Sequence, residues 1–294
     1  MTIKYQQLKA RVFPDVRQTY SARDSMLYAL SLGLGSDPLD PRALPFVYEG
    51  TAGGLRVLPT MAAVLGYPGF WAKEADSGID WVRLVHGEQS LIVHKPLPAA
   101  MTLVGKNRIT DLIDKGEGKG AIVVVERRLE DTSGLLYATL RQVIFCRGDG
   151  GFSARSGGQP SDPPLTPLAA TPEHRAPDLI DDQAIRPEAA LLYRLLADDN
   201  PLHADPAVAR AAGFERPILH GLATYGLAAR ALIRQCAADD PTRLRRLDVR
   251  FAAPVFPGET LRTEIWRDGS GLKFRARVLE RDRIVLSHGH ADID

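Results

Sequence analysis

The most strongly apolar segment of the chain is residues 219–236, where alanine and leucine predominate and few polar residues occur before Arg230. A helix that is apolar on nearly every face belongs in the core of a fold. Gly221 stands near its start, where the first amides of a helix have no intrahelical partner and a missing side chain lets a ligand oxygen approach. The pattern therefore predicts a buried helix whose amino-terminal end can hold a negative oxygen.

The segment before this helix is predicted to contain two short helices separated by a loop. Residues 187–196 begin with a proline and predict the first helix. Asp205-Pro206 predicts the N-cap and first turn of the second, which ends near Gly213. Between them Pro201 removes a backbone donor and disfavours helical geometry at the residue before it. Residues 198–204 are therefore predicted to form a loop.

Both halves of the chain place helices first and β-strands after them. In the first half a helix is predicted at residues 21–32, capped by Ser21, and a second helical piece at residues 60–65. Apolar, β-rich runs separated by turn residues predict strands at 81–93, 101–112, 121–129 and 135–145, and at 245–252, 260–266, 272–279 and 284–292. The same order of elements is thus used twice.

The two halves also share a proline corner after their first long strand, at residues 93–98 and again at 249–258. This order predicts an α+β fold in which bent antiparallel sheets wrap around long central helices. Residues 148–177 are rich in Gly, Pro and Ser and predict an extended connection. We divide the chain into an amino-terminal repeat (residues 1–150), a Gly/Pro-rich connection (151–180) and a carboxyl-terminal repeat with the candidate chemistry (181–294).

Composition and charge exclude several classes of protein. The 294 residues are 45% hydrophobic and 25% charged, as in a globular protein. A net charge of +1 with scattered basic residues gives no reason to expect a nucleic-acid partner. We also expect no membrane partner, since no apolar run approaches spanning length and the start lacks a hydrophobic signal region. The two cysteines, Cys146 and Cys236, form no disulfide framework, so the cytoplasm is the expected compartment.

The loop before the apolar helix carries the candidate chemistry. Asp198, Asn200 and His203 place a carboxylate, an amide and an imidazole within six residues. On a continuous helix Asp198 and His203 would point apart, whereas a loop can bring both side chains to one point. They form a potential acid–base pair beside Gly221. A purely structural role stays open, because Asp-x-Asn-Pro and Asp-Pro are common turn and cap sequences.

The same stretch resembles a known signature. The strings that carry the resemblance are Tyr193-Arg194-Leu195, Asp198, Asn200-Pro201-Leu202-His203, Asp205-Pro206, Gly213-Phe214 and Pro217-Ile218-Leu219-His220-Gly221-Leu222. They are similar to the signature of the MaoC-like, (R)-specific type 2 enoyl-CoA hydratases, also called 3-hydroxyacyl-CoA dehydratases. The first half resembles the corresponding half of the hydratase 2 unit of peroxisomal multifunctional enzymes. That part of the resemblance rests on Tyr28-Ala29-Leu30, Phe46-Val47-Tyr48-Glu49, Leu58-Pro59-Thr60, His86-Gly87-Glu88-Gln89, Lys95-Pro96-Leu97-Pro98 and Asp114-Lys115-Gly116.

The resemblance implies a fold and a reaction. The fold is a tandem, or double, hot-dog fold, in which the first half lacks the catalytic motif and supplies shape. The reaction is the reversible hydration of trans-2-enoyl-CoA to (3R)-3-hydroxyacyl-CoA, which makes the protein a hydro-lyase. One member of the Asp198–His203 dyad would remove a proton from water while the other delivers a proton to the α-carbon. The backbone N–H of Gly221 would hold the enolate oxygen.

The resemblance also implies roles in substrate binding. Asn200 would orient the water or the thioester through its amide. His86, Gly87, Lys115 and Phe251 would contact the acyl-CoA, with Lys115 suited to a phosphate and Phe251 to adenine or pantetheine. His220, at the helix start, is expected to orient the turn.

No cofactor and no metal are expected, because the CoA thioester is the substrate. The acyl-CoA and a second copy of the chain are the expected partners, since exposed sheet edges and an open pocket favour a homodimer. Residues 288–292 alternate His, His and Asp and offer a metal site as the alternative to a solvated strand face, which is favoured.

Two other functions stay open at this point, a hot-dog acyl-CoA thioesterase and a non-catalytic acyl-CoA-binding protein. Binding alone does not need a carboxylate and an imidazole that converge on a helix end. The chain also departs from the family pattern at Leu196-Ala197, where a small polar residue and then Gly are usual. A second carboxylate, Asp199, follows Asp198, and we expect it to face solvent.

Overall fold

The computed structural model describes residues 3–154, 158–196, 198–269 and 271–294. The strands of this part of the chain are β1 (Val16–Tyr20), β2 (Leu84–Val93), β3 (Met101–Asp114), β4 (Ala121–Asp131), β5 (Leu136–Cys146), β6 (Leu179–Ala184), β7 (Leu244–Phe251), β8 (Thr260–Asp268), β9 (Gly271–Val278) and β10 (Arg283–Ile293). The helices are α1 (Tyr5–Lys9), α2 (Ala22–Ser31), α3 (Leu44–Val47), α4 (Ala189–Tyr193), α5 (Pro206–Ala211) and α6 (Gly221–Cys236). Single 3₁₀ turns occupy Pro59–Val64, Trp71–Lys73, Ala75–Ser77, Trp81–Arg83, Pro201–His203 and Pro241–Arg243.

The described strands form one antiparallel sheet in the order β1-β3-β4-β5-β2-β7-β10-β9-β8-β6. The first half reads 1-3-4-5-2 from its outer edge, and the second half reads 6-8-9-10-7 from the opposite edge. Adding five to each strand number of the first half gives the second, so the internal repeat is real. The eight predicted strands are present within three residues of their predicted ends. The two short edge strands, β1 and β6, were not predicted.

The halves meet where β2 pairs with β7. Five residue pairs join these strands, from Glu88 opposite Arg250 to Ile92 opposite Arg246. At the first of these pairs, the Arg250 guanidinium donates two hydrogen bonds to Glu88 Oε1, at 2.9 and 2.7 Å. The main-chain ladder therefore continues from one repeat into the other, and the two repeats share a single hydrophobic core.

The helix α6 lies buried in the second half, as the apolar run predicts. Leu227 is 4% exposed and Ala231 is fully buried, and Leu222 near the start is partly buried. Gly226 lets α6 approach the first half closely, because a Cβ there would lie 2.7 Å from a methyl carbon of Leu32. Because Gly226 has no side chain, α6 can pack closely against Leu32, the residue that follows α2.

The first half differs from the second in its helical part. Its helix α2 is ten residues long and begins in a capping box, in which Ser21 and Asp24 bond each other's backbone amides. It packs against α3 and α4, and the 3₁₀ turn Pro59–Val64 packs on β2 and β5. The predicted helical piece at residues 60–65 is thus present as a 3₁₀ turn, and the predicted helix at residues 21–32 as α2.

The predicted connection between the halves is irregular over its described residues, and hydrogen bonds tie it to the first half. The carboxylate of Asp162 accepts bonds from the Tyr5 hydroxyl at 2.7 Å, the Lys9 ammonium at 2.8 Å and the Leu112 amide at 2.7 Å. Asp114 accepts from the amides of Gly151 and Ser153, both at 2.7 Å. The connection is therefore held against the first repeat. Residues 155–157 lie outside the described part of the chain.

Among the described helices none is long and apolar enough to cross a membrane, and α6 reaches only 16 residues. Cys146 is buried and Cys236 is partly buried, and both are free thiols.

Candidate active site

The loop that carries Asp198, Asn200 and His203 has a definite local structure. Asp198 Oδ1 accepts a bond from the Asn200 amide at 2.9 Å, and Asn200 Oδ1 accepts one from the Leu202 amide at 3.1 Å. Asn200 thereby caps the 3₁₀ turn Pro201–His203. Pro201 suits the first position of this turn because it has no N–H that would need an acceptor. The loop therefore has the hydrogen bonds of a turn and a helix cap, and it also brings Asp198 and His203 together. The structural interpretation and the acid–base interpretation of this loop do not exclude each other.

The imidazole of His203 is buried and fixed at one nitrogen. Its Nδ1 lies 2.9 Å from the backbone oxygen of Ile218, and a carbonyl can only accept, so Nδ1 carries the proton. The neutral ring therefore presents its lone pair at Nε2. Burial lowers the pKa of His203, against smaller opposing effects of the Ile218 bond and the Asp198 carboxylate. At neutral pH the ring is a base with its free nitrogen turned away from Ile218.

Asp198, His203 and His220 come together at the end of α6. One potential ligand atom from each of them lies within 4.8 Å of the other two. Two groups at this distance can share one water, since two ordinary hydrogen bonds span it. Asp198 is exposed and the two histidines are buried, so the water would approach from the side of the carboxylate.

This group of three residues does not suit a metal ion. The rings of His203 and His220 stack with centroids 3.7 Å apart and an interplanar angle of 27°. Imidazole lone pairs lie in the ring plane, so two stacked rings do not direct them at one point as tetrahedral coordination requires. The expected absence of a metal stays a prediction.

The amino-terminal end of α6 is open beside this group. Gly221 is exposed, and the first intrahelical donors are the amides of Ala223 and Thr224, which bond the His220 carbonyl. The amides of Gly221 and Leu222 precede them and point out of the helix end. A Cβ at Gly221 would lie 3.2 Å from the ring of Phe251, so only glycine leaves this end uncovered without moving that ring.

Phe251 and His86 continue the site across the junction of the halves. Their ring centroids are 4.7 Å apart, with Phe251 at the end of β7 and His86 near the start of β2. The ring nitrogens of His86 already have protein partners, the Glu88 carbonyl at 3.2 Å and the Gln142 amide at 3.4 Å. A register shift between His86 and Glu88 marks a bulge in β2 at Gly87. Contact of these two residues with a ligand stays a prediction.

Lys115 lies elsewhere, at the hairpin between β3 and β4. It lines a cavity of about 440 Å³ with Glu88 and Arg250, together with the connection residues Pro164, Leu165, Thr166 and Pro167. Arg250 and Phe251 are successive in β7, so their side chains point to opposite faces of the sheet. The structure therefore separates Lys115 from the dyad by the thickness of the sheet, although both lie at the same end of the strands.

Two residues near the loop bear on the departures from the family pattern. Asp199 is exposed, as expected for a carboxylate that faces solvent. Ala197, half of the Leu196-Ala197 departure, lies outside the described residues.

His220 makes two contacts that its sequence position does not predict. The His220 Nε2 lies 3.2 Å from the backbone oxygen of Asp198, and its ring also packs 4.9 Å from that of Tyr193. The expectation that His220 orients a turn captures neither contact. The signal available in the sequence was Tyr193 itself, which belongs to the string that carries the family resemblance.

Strand β10 departs from the alternation expected at residues 288–292. Its register shifts between Ser287 and His290, and His288 has a positive φ of 53°. His290 instead pairs with Asp292 at 3.0 Å, and His288 contacts the Ser287 hydroxyl at 3.0 Å. The bulge thus separates His288 from the other two side chains and removes the basis for a metal site there.

Comparison with known proteins covers both halves of the chain. Residues 18–148 match the family described as MFE-2 hydratase 2 N-terminal domain, and residues 169–288 match the family described as MaoC like domain. The chain is 40% identical to the protein named enoyl-CoA hydratase 2, peroxisomal, of Arabidopsis thaliana, over 97% of this chain and 94% of that relative.

Solved structures with a similar fold agree with these family matches. A MaoC-like dehydratase from Phytophthora capsici superposes with a TM-score of 0.84 at 30% identity, over 99% of each chain. A Mycobacterium tuberculosis protein described as a double hotdog fold superposes with a TM-score of 0.58 at 17% identity, over 96% of this chain and 95% of that one. The predicted double hot-dog fold is confirmed.

The buried histidines predict how stability depends on pH. Burial lowers the pKa of His203, of His86 to about 4 and of His220 to about 3, whereas the unfolded chain titrates near 6.5. Below pH 6.5 the unfolded state therefore binds more protons than the folded state, and the free energy of unfolding falls as pH falls. Urea unfolding between pH 7.5 and 5.0 should show this loss.

The matched pair of variants for this measurement is His220→Gln and His94→Gln. His220 is buried and His94 is exposed. The first substitution should flatten the pH dependence by up to about 1.4 kcal/mol per pH unit, the contribution of one proton, and the second should leave it unchanged. An equal slope in His220→Gln and the wild type would contradict the prediction.

Proposed function

The chain belongs to the MaoC-like, type 2 enoyl-CoA hydratase family, and from this we propose how it hydrates trans-2-enoyl-CoA reversibly to (3R)-3-hydroxyacyl-CoA. It is a hydro-lyase. The proposed catalytic groups are the side chains of Asp198 and His203 and the backbone N–H of Gly221. The observation that carries the proposal is the neutral ring of His203, whose Nδ1 is held by Ile218 and which lies within bridging distance of Asp198 beside the open end of α6.

The proton transfers follow from the tautomer of His203. A neutral ring with its proton on Nδ1 has none to give at Nε2, so it acts first as the base. Nε2 removes a proton from water while the hydroxide forms a bond to the β-carbon of the enoyl thioester, and the π electrons move to the carbonyl oxygen. The imidazolium then returns the proton to the α-carbon as the enolate collapses. Dehydration runs these steps backward.

Asp198 has two tasks in this sequence. Its carboxylate accepts the second hydrogen of the water and so fixes the oxygen for attack. Once His203 is charged, the nearby carboxylate stabilises the imidazolium, as the upward effect of Asp198 on the pKa of His203 indicates. In this mechanism the imidazole of His203 both removes and returns the proton, so Asp198 does not transfer one.

The enolate oxygen is held at the end of α6. The amides of Gly221 and Leu222 have no intrahelical acceptor, and a helix amino terminus favours negative charge. Donors aimed at an oxygen that gains charge lower the barrier because the interaction strengthens in the transition state. The nitrogen that removes the proton from the attacking water also returns it to the α-carbon. Both additions therefore occur on the same face of the alkene.

We propose that the acyl-CoA enters past the residues named by the family resemblance. The Oδ1 of Asn200 is engaged by Leu202, which leaves the NH₂ of its amide to orient the water or the thioester. Phe251 and His86 offer a packed aromatic wall, with Gly87 beside them, for pantetheine or adenine. Lys115 lies at the same end of the strands, in the 440 Å³ cavity, where it would pair with a phosphate of CoA.

We further infer that two copies of the chain associate and that the protein works in the cytoplasm. The outer edge of β6 exposes Ile180, and Trp81 and Val82 are exposed on the first half at 41% and 73%. Ile180 lies on an edge strand, whereas Trp81 and Val82 precede the paired strand β2, and exposed apolar residues of both kinds favour association. The free thiols of Cys146 and Cys236 suit a reducing compartment. The named Arabidopsis relative is peroxisomal.

The dyad predicts the effect of two substitutions. Asp198→Asn and His203→Ala should each lower kcat about 100-fold or more, because a positioned acid–base group contributes that much. The double variant should lose little beyond either single one, since the two side chains act on one water. Loss of the conjugated-thioester absorbance of an enoyl-CoA measures the rate. Asp199→Asn is the control and should stay active, and normal hydration by His203→Ala would remove that residue from the mechanism.

Hydration and thioester cleavage predict different products. Attack at the β-carbon leaves CoA attached, whereas attack at the carbonyl carbon releases a thiol. We expect formation of the (3R) alcohol with no free thiol, and no added metal or nucleotide should be needed. Turnover of an enoyl-CoA in the presence of a thiol reagent such as Ellman's distinguishes them. Stoichiometric release of CoA without any 3-hydroxyacyl-CoA would replace the hydratase by the thioesterase, and binding without either product would leave a binding protein.

The association of two copies predicts the mass in solution. Light scattering at micromolar concentration should give twice the chain mass of 32.1 kDa. Val82→Glu places a charge on the exposed apolar patch and should shift the mass toward one chain. A single chain mass for the wild type at every concentration would exclude the homodimer.

A further inference from the structure

Four rings form a continuous column that ends on the catalytic loop. Tyr28 lies 5.9 Å from Tyr193, Tyr193 lies 4.9 Å from His220, and His220 lies 3.7 Å from His203, each distance between ring centroids. Tyr28 belongs to α2 of the first half, Tyr193 to α4, and His220 is the N-cap of α6. The column therefore begins in the half that lacks the dyad and ends at the dyad.

His220 touches both members of the dyad. Its ring stacks on His203, and its Nε2 donates to the backbone oxygen of Asp198 at 3.2 Å. The residue itself is 2% exposed, less than His203 at 8%. It is therefore placed to hold the His203 ring in relation to the backbone that carries Asp198.

A single hydrogen bond does not fix the orientation of an imidazole. The Ile218 carbonyl holds Nδ1 of His203, but the ring can still rotate about that bond and swing Nε2 away from the water. A flat partner at 3.7 Å removes this freedom because tilting the ring would drive it into His220. The precise direction of Nε2 matters, since a displacement of about 1 Å can cost roughly 100-fold in rate.

We propose that His220 is a positioning residue for the hydration reaction, held by Tyr193 and by Tyr28 of the amino-terminal half. This inference rests on the proposed function. It assigns the first half a part in catalysis, where the family resemblance implies only shape. His220 acts on the reaction through His203 and Asp198, and it takes no proton from the substrate or the water.

The charge state of His220 agrees with this role. The charged groups that act on the two histidines are the Asp198 carboxylate from the loop and the Arg194 guanidinium that follows α4. Burial, and then the neighbouring His203, lower the pKa of His220 to about 3. His220 therefore stays neutral and places no positive charge against the His203 imidazolium when that ion forms.

The rings of the two tyrosines, rather than their hydroxyls, support His220. The hydroxyls of Tyr28, Thr60 and Tyr193 adjoin one another, but none is aligned with an acceptor among the described residues. Tyr28 and Tyr193 are each 1% exposed, and burial raises the pKa of both hydroxyls, which stay protonated. The contact that reaches His220 is the face of the Tyr193 ring.

The experiment measures kcat and KM for enoyl-CoA hydration by His220→Ala and His220→Gln from pH 5 to 8. The alanine variant loses the stacked ring and the donor to Asp198, so kcat should fall about 10- to 100-fold with KM within about threefold of wild type. Water that enters the space should also move the acid limb of the pH–rate profile upward, toward the ordinary histidine value near 6.5. Glutamine restores a donor at the position of Nε2 and should recover part of kcat.

Tyrosine variants test the column, with a matched control. Tyr193→Leu removes the ring behind His220 and should lower kcat in the same direction as His220→Ala. Tyr20→Leu removes a comparably buried tyrosine, 3% exposed, whose hydroxyl bonds Pro98 far from the dyad. It should lower the unfolding midpoint while kcat per folded molecule stays unchanged. Circular dichroism and thermal unfolding give the folded fraction for each variant.

Two results would overturn the inference. One is a kcat per folded molecule of His220→Ala within about twofold of wild type with an unmoved acid limb, which leaves His220 a structural role alone. The other is a raised KM with unchanged kcat, which makes it a binding residue. If wild-type protein itself does not hydrate enoyl-CoA, the proposed function fails, and that outcome is separate from both.

Discussion

The pairing of β2 with β7 is the interaction on which the rest of the molecule depends. It turns two five-stranded sheets into one, and its register sets Phe251 of the second half against His86 of the first. A slip of one residue would turn one of the two rings to the opposite face of the sheet and disrupt the core shared by the halves. The salt bridge between Glu88 and Arg250 lies at the same pair of positions and favours this register over its neighbours.

The candidate active site accordingly draws its residues from both repeats rather than from one. The dyad and the end of α6 come from the second half, whereas His86 and the far end of the ring column come from the first. The proposed chemistry needs a neutral imidazole, and burial lowers the pKa of both His203 and His220. The acid–base group and the stability of the fold are thus linked through the same desolvation.

The sequence predicted most of the fold because its signals are local. Period-two runs and turn residues located eight strands, and the cap at Ser21 and the buried run at α6 were visible without any tertiary information. The edge strands β1 and β6 were missed because each is only five or six residues long and their pairing is non-local. The site was predicted less completely. Asp198 and His203 could be paired from their spacing, but the stack on His220 depends on how α6 meets the loop, which no local pattern encodes.

The two repeats differ in their helices, and this difference affects how amino-acid substitutions act in each repeat. In a dimer of identical single repeats every substitution appears twice, so a change that enlarges one binding cavity also alters the catalytic half. Here the repeats are fused and share strand order while one holds the sixteen-residue α6 and the other a ten-residue α2 and a 3₁₀ turn. Fusion therefore frees the first half to change its contents residue by residue, while the second half keeps the machinery that any such change must not disturb.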